Sequence, residues 1–127
     1  MMSLKSPLGK ALGTGSAKNG TGHWWSQRVT AVGLVFLGLW FAAELICLES
    51  FDYQSMTEFL SSPYNAVLLI LLIGTLMYHS LLGVQVVIED YVHHGSLKVV
   101  SLMLIKFAHV LAGALGVFSV LRVGFGA

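Results

Sequence analysis

The stretch AVLLILLIGTLMYHSLLGVQVVI, residues 66–88, decides the fold. It holds no Asp, Glu, Lys or Arg, and it exceeds the roughly 20 residues a helix needs to cross a bilayer core of about 30 Å. Two further apolar runs flank it, Val29 to Leu48 and Val99 to Leu121. A chain segment in lipid must satisfy its backbone polar groups internally, which a helix does and a lone strand cannot. The alternating pattern of a barrel strand is absent from all three runs. The expected fold class is therefore all-α integral membrane, with three transmembrane helices at about residues 27–48, 64–92 and 97–122.

Composition agrees. Of the 127 residues, 56% are hydrophobic and 10% are charged, where a soluble domain carries about a quarter charged residues. A lipid-facing exterior accounts for the deficit. No long basic or acidic block is present, so no nucleic-acid partner is expected. The single Cys47 excludes an internal disulfide and any cluster held by several thiolates. Electrons, if the chain handles them, need a non-thiolate cofactor or another subunit.

Residues 1–22 are rich in Gly, Ser and Lys and have no apolar h-region, so they read as a polar cytoplasmic tail rather than a signal peptide. Residues 23–127 form the anchor domain. Lys5, Lys10, Lys18 and Arg28 precede the first span, and Lys98 sits in the turn after the second. The connection between them carries Glu49, Asp52 and Glu58 without a base. The positive-inside rule then places the amino terminus inside, with Trp24 and Trp25 at the inner interface and Arg122 at the outer end. Pro63 is expected at the start of the second helix. In His93-His94-Gly95-Ser96, Gly95 is expected to end that helix and Ser96 to cap the next.

Four ionisable residues fall within the spans, where each has a cost and calls for a partner: Glu44, His79, Lys106 and His109. Glu44 lies near the end of its helix and can snorkel. Lys106 suits a buried carboxylate or an anionic cofactor group. His109 reads as a packed histidine or a second metal ligand. His79 lies deep, and a neutral imidazole there needs a hydrogen-bond partner or a metal on its free nitrogen. Gly83 follows one turn later, leaving room for a flat macrocycle. Asp90, eleven steps of about 100° from His79, returns to the same stripe. Tyr91 follows at the membrane edge, where a phenol beside a carboxylate suits hydrogen bonding to a quinone oxygen. The alternative for this pair is a helix end anchored by Tyr at the water boundary. Ala108, Ala112 and Gly116 form a small-residue stripe expected to permit close helix contact.

The run HSLLGVQVVIEDYVHH, His79 to His94, resembles the small hydrophobic anchor subunits of succinate dehydrogenase, in their alphaproteobacterial and mitochondrial type. His79, Gly83, Gln85, Asp90, Tyr91 and Val92 match the pattern, and Arg28-Val-Thr30-Ala31 resembles the Arg-x-Thr-Ala that opens the family's first helix. The resemblance implies that His79 is one axial ligand of haem b. The second ligand would come from the larger cytochrome b anchor subunit, which completes the helical bundle. Arg28 and His23 would lie near the haem propionates or the quinone pocket, with Gly83 beside the ring. Tyr91, with Asp90 nearby, would hold ubiquinone. FAD and iron–sulfur clusters would reside on the flavoprotein and iron–sulfur partners. The implied setting is a bacterial inner membrane, or a mitochondrial one if organellar. The alternatives are a fumarate reductase anchor, another b-type cytochrome subunit, and a cofactor-free scaffold with His79 packed in a bundle.

Overall fold

The computed structural model describes residues 20–126. Lys5, Lys10 and Lys18, on which the orientation rests, lie outside the described residues, as does most of the expected tail.

Four helices are present among the described residues: α1 (Gly20–Cys47), α2 (Tyr53–Ser61), α3 (Pro63–Tyr91) and α4 (Gly95–Gly124). Three of them, α1, α3 and α4, are long and apolar enough to cross a membrane. The chain is an all-α membrane protein. At 1.5 Å per residue these spans run about 42 to 45 Å, longer than the hydrocarbon core, so their polar ends emerge from it.

Two boundaries differ from the sequence reading. Helix α1 starts at Gly20, inside the stretch read as tail, and so carries His23 on its first turns. The first connection is not all loop but holds the short amphipathic α2. Asp52 is its N-cap and accepts a hydrogen bond from the Ser55 backbone N–H at 2.8 Å, satisfying one of the donors a helix start leaves open. That bond, with the Ser50 and Ser55 hydroxyls, holds the Asp52 carboxyl below its ordinary value of 3.8. Ser62 is extended ahead of Pro63, as a residue before proline prefers, and Pro63 opens α3 as expected. The Asn65 amide then donates to the Phe59 carbonyl at 3.1 Å, closing the end of α2.

The α3–α4 turn also departs from expectation. Gly95 does not end α3 in a left-handed turn. It is the first residue of α4, capped by His94, and Ser96 lies one residue inside the helix. The extended Val92 ends α3 instead. The Lys98 ammonium reaches back 2.7 Å to the Glu89 carbonyl, a cation closing the negative end of a helix.

Helix α3 is central. It packs against α1 on one side and α4 on the other, while α2 lies across α3 and α4. No backbone packing joins α1 to α4. Only Phe59, Leu82 and Val120 form a buried apolar core among the described residues, and many large side chains such as Phe36, Phe107 and Val110 face outward. In lipid that exposure has no hydrophobic cost, and helix association rests on packing and hydrogen bonds. The glycines show where packing is tight. A Cβ on Gly116 would stand 3.2 Å from Ile73, one on Gly113 3.4 Å from Met77, and one on Gly124 2.8 Å from the Leu60 carbonyl oxygen. The small-residue stripe is thus rotated from its expected place. Gly116 is in the seam, but Ala108 and Ala112 are exposed and Gly113 takes their role.

Candidate functional site

His79 sits on α3 about 18 Å, or twelve residues, from the helix end at Tyr91. Both of its ring nitrogens meet α1. Nδ1 lies 2.9 Å from Thr30 Oγ1, and Nε2 lies 3.4 Å from Gln27 Nε2. Gln27 and Thr30 are three residues apart and so share the α1 face turned to α3. His23, four residues before Gln27, continues that face toward the helix start.

These side chains border a groove of about 470 Å³ between α1 and α3. Its walls include His23, Arg28 and Gln27 from α1, and His79, Gly83 and Val86 from α3. All four residues read from the sequence as cofactor-binding therefore line one cavity, of ligand-site size. A Cβ on Gly83 would stand 3.7 Å from Gln27 Nε2. That is an ordinary contact, so the protein itself would tolerate it and only an occupant of the groove would meet the added bulk. Arg28 is exposed, with its guanidinium 5.6 Å from the centre of the Trp24 ring.

Two buried polar atoms at this groove, His23 Nε2 and Gln27 Oε1, have no hydrogen-bond partner. Each such atom costs about 1–3 kcal/mol if left unsatisfied. One cavity thus gathers an imidazole deep in its helix, two buried polar atoms without partners and a guanidinium.

Asp90 and Tyr91 are not part of it. The stripe from His79 through Gly83 runs on to Val86 within the groove, and Asp90 lies beyond, exposed at the helix end. Tyr91 is 78% exposed. A second cavity, of about 520 Å³, opens beside the groove and shares His23 with it. Its polar wall is Ser26, Gln85 and Glu89, with Gln85 donating to Glu89 at 2.8 Å.

His109 faces the other side of α3. Its Nδ1–H donates to the Ile105 carbonyl at 2.8 Å, and its Nε2 accepts from the Ser80 hydroxyl at 3.1 Å. Both nitrogens are used, as in the packed-histidine reading. Lys106 is exposed and Glu44 half-buried, and neither reaches the groove. Gln27 was missed by sequence reasoning. The signal was its place three residues before Thr30 on one helix face, and the start of α1 at Gly20 extends that face to His23.

Comparison with known proteins bears on what this groove is for. Residues 2–120 match the family model described as succinate dehydrogenase/fumarate reductase transmembrane subunit. The chain belongs to that family. A succinate dehydrogenase hydrophobic membrane anchor subunit of Rickettsia bellii is 36% identical over 108 residues, 85% of this chain and 86% of that protein. The protein of the same description from Paracoccus denitrificans is 28% identical over 122 residues, covering 96% and 94%. A succinate dehydrogenase membrane anchor subunit of Reclinomonas americana is 33% identical over 93 residues, covering 70% and 77%. Like those relatives, this transmembrane-subunit family member is matched along most of its length.

Proposed function

We infer that this chain is the small membrane anchor of a succinate dehydrogenase, and that His79 would ligate the iron of a haem b bound at the α1–α3 groove. The observation that carries the ligand assignment is His79 itself. One ring nitrogen is engaged by Thr30 at 2.9 Å and the other has only a 3.4 Å contact from Gln27 of the groove wall, with glycine in place of bulk one turn away. The residues fit the group. Among the described residues no cluster of three or more His, Cys, Asp or Glu exists to hold a bare metal ion. The family resemblance supplies the rest: a haem ring and a ligand from the larger anchor subunit would complete the coordination that one imidazole begins. Arg28 and His23 at the rim match carboxylates on such a ring.

When bound, the haem would supply reversible one-electron storage. The work of this chain is positional. His79 orients the ring, Gly83 keeps its edge clear, and Arg28 neutralises its acid groups. At the end of α3, the Tyr91 hydroxyl donates a hydrogen bond to a quinone carbonyl oxygen, while Asp90, open to water, passes protons to the reduced oxygens. Substrate oxidation and the flavin and iron–sulfur chemistry belong to the soluble partners, which dock on the side of the α3–α4 turn. A larger cytochrome b anchor would cover the exposed apolar face of α1 and contribute the other protein ligand to the haem. The amino terminus lies on the cytoplasmic side of an inner membrane. In the alternative reading, a fumarate reductase anchor would run the same site in reverse.

A dithionite-reduced minus oxidised visible spectrum of the complex, purified from membranes with its partners, tests this. The expected result is a sharp b-haem α-band that disappears in His79→Ala. A partner-retaining complex with no band sinks the ligand assignment and favours the scaffold reading, leaving Tyr91 and Asp90 as a quinone site alone.

A further inference from the structure

We propose that Thr30 is a positioning residue for His79: it accepts the Nδ1–H of the imidazole and so dedicates Nε2 to the groove. The proposal rests on the haem reading of that groove, and it adds a residue that the reading did not require.

The Thr30 hydroxyl oxygen lies 2.7 Å from the Ser26 carbonyl oxygen, 3.1 Å from the Gln27 carbonyl oxygen and 2.9 Å from His79 Nδ1. A hydroxyl has one hydrogen to give and lone pairs to receive with. The two carbonyls can only accept, and the Ser26 oxygen is the nearest of the three atoms, so it takes the hydrogen. The Thr30 oxygen then receives, and Nδ1 must carry a proton. Gln27 agrees with this, because its NH2 group faces Nε2 at 3.4 Å and needs a lone pair there. The neutral imidazole so defined has its free pair on Nε2, the nitrogen a metal would take.

The chain of bonds also has a direction. Nδ1–H donates to Thr30, and Thr30 donates to the Ser26 carbonyl. A hydroxyl that is itself donating is a better acceptor, since successive hydrogen bonds polarise one another. An imidazole donating its second N–H to such an acceptor is a more basic ligand and favours the more positive state of the metal. Thr30 is β-branched within α1, so its χ1 is confined to two rotamers. One of these makes the bond to the preceding turn seen here, and that fixes the oxygen opposite His79. Gln27, with one amide atom unsatisfied and a long contact to Nε2, is the group that yields when the nitrogen is coordinated.

The test is a redox titration of haem in the purified complex, with haem content measured in parallel. Thr30→Val keeps the shape and removes the acceptor, and Thr30→Ser keeps the hydroxyl. The expected result is that Thr30→Val raises the midpoint potential, shifting the oxidised-to-reduced ratio at fixed ambient potential by up to about tenfold, or about 59 mV for a one-electron couple. Thr30→Ser stays near the parent protein. If Thr30→Val does not assemble, Thr30→Ala, which removes the hydroxyl without adding volume, is read against Thr30→Ser in the same way. Haem present with an unchanged potential, or an equal shift in Thr30→Ser, overturns the role of Thr30 and leaves the ligand assignment standing. A parent complex without haem overturns both.

Discussion

Adjacent residues of α3, His79 and Ser80, face two different seams about 100° apart, and the seams are built in opposite ways. Toward α4, Ser80 meets His109, no buried polar side-chain atom lacks a partner among the described residues, and glycines bring the backbones close. Toward α1, His79 meets Thr30 and a long contact from Gln27, and beside it two polar atoms are buried with no partner. Trp40 Nε1, the third such atom among the described residues, is also on α1. Two histidines of similar depth are therefore held differently: both His109 nitrogens are bonded within α4 and to Ser80 at 2.8 and 3.1 Å, whereas the second nitrogen of His79 has only the 3.4 Å contact from Gln27. That looser contact is what the proposed ligand role of His79 draws on.

The largest expected effect comes from exchanging the two histidines' fates. His79→Ala abolishes the haem band, whereas His109→Ala retains it and lowers only thermal stability. Equal haem loss in both variants, read by pyridine haemochrome assay on the assembled complex, would erase the distinction between the seams.

Next is close packing at the α2 end. Gly124→Ala drives a Cβ to 2.8 Å from the Leu60 carbonyl. Backbone on both sides cannot yield cheaply, so the complex loses about 1–3 kcal/mol, seen as an earlier thermal transition in detergent. The same exchange at Gly83 leaves the transition in place and weakens haem retention instead.

A smaller contrast concerns polar atoms. Ser80→Ala leaves the His109 nitrogen buried without a partner, at a cost of about 1–3 kcal/mol. Gln27→Leu removes one unsatisfied buried atom, Oε1, together with the amide that faces His79 Nε2 at 3.4 Å, so the two changes offset and in haem-depleted complex the cost is smaller than that of Ser80→Ala. An equal loss in the two variants under those conditions would show that the α1 seam is bonded as fully as the α4 seam.

The smallest effect is the acid sensitivity of α2. The Asp52 carboxyl is held below 3.8, first by the Ser55 backbone N–H. Its contribution is therefore fully present above that pH and is lost as pH falls through the depressed value. Hydrogen exchange at α2 amides should be flat from neutral pH down to about 4, after correction for intrinsic rates, and then quicken. Asp52→Ala should remove the step.

Much of this was legible in advance because lipid simplifies the code. Long apolar runs leave helix as the sole choice, so three spans were plain, and rare polar residues within them pointed to His79. Short-range geometry was harder. Helix α2 has too few apolar residues to stand out, and Asp52 signals a cap only when a helix is already suspected. The rotation of the α4 seam from Ala112 to Gly113 is a single-residue shift that composition does not determine. The start of α1 mattered most, since it is what brings His23 into register with Gln27 and Thr30. The near-equal depths of His79 and His109 were countable from the turn, but their different bonding was not.

That α1 makes backbone contact with α3 and not with α4 bears on biogenesis. A molecule seated between α1 and α3 would add its binding free energy to the seam that carries the backbone packing of α1. If the groove is loaded as proposed, loading would double as an inspection step: a filled subunit would present a clamped first helix, and one without its ligand a more loosely held helix to the proteases that clear unassembled membrane proteins.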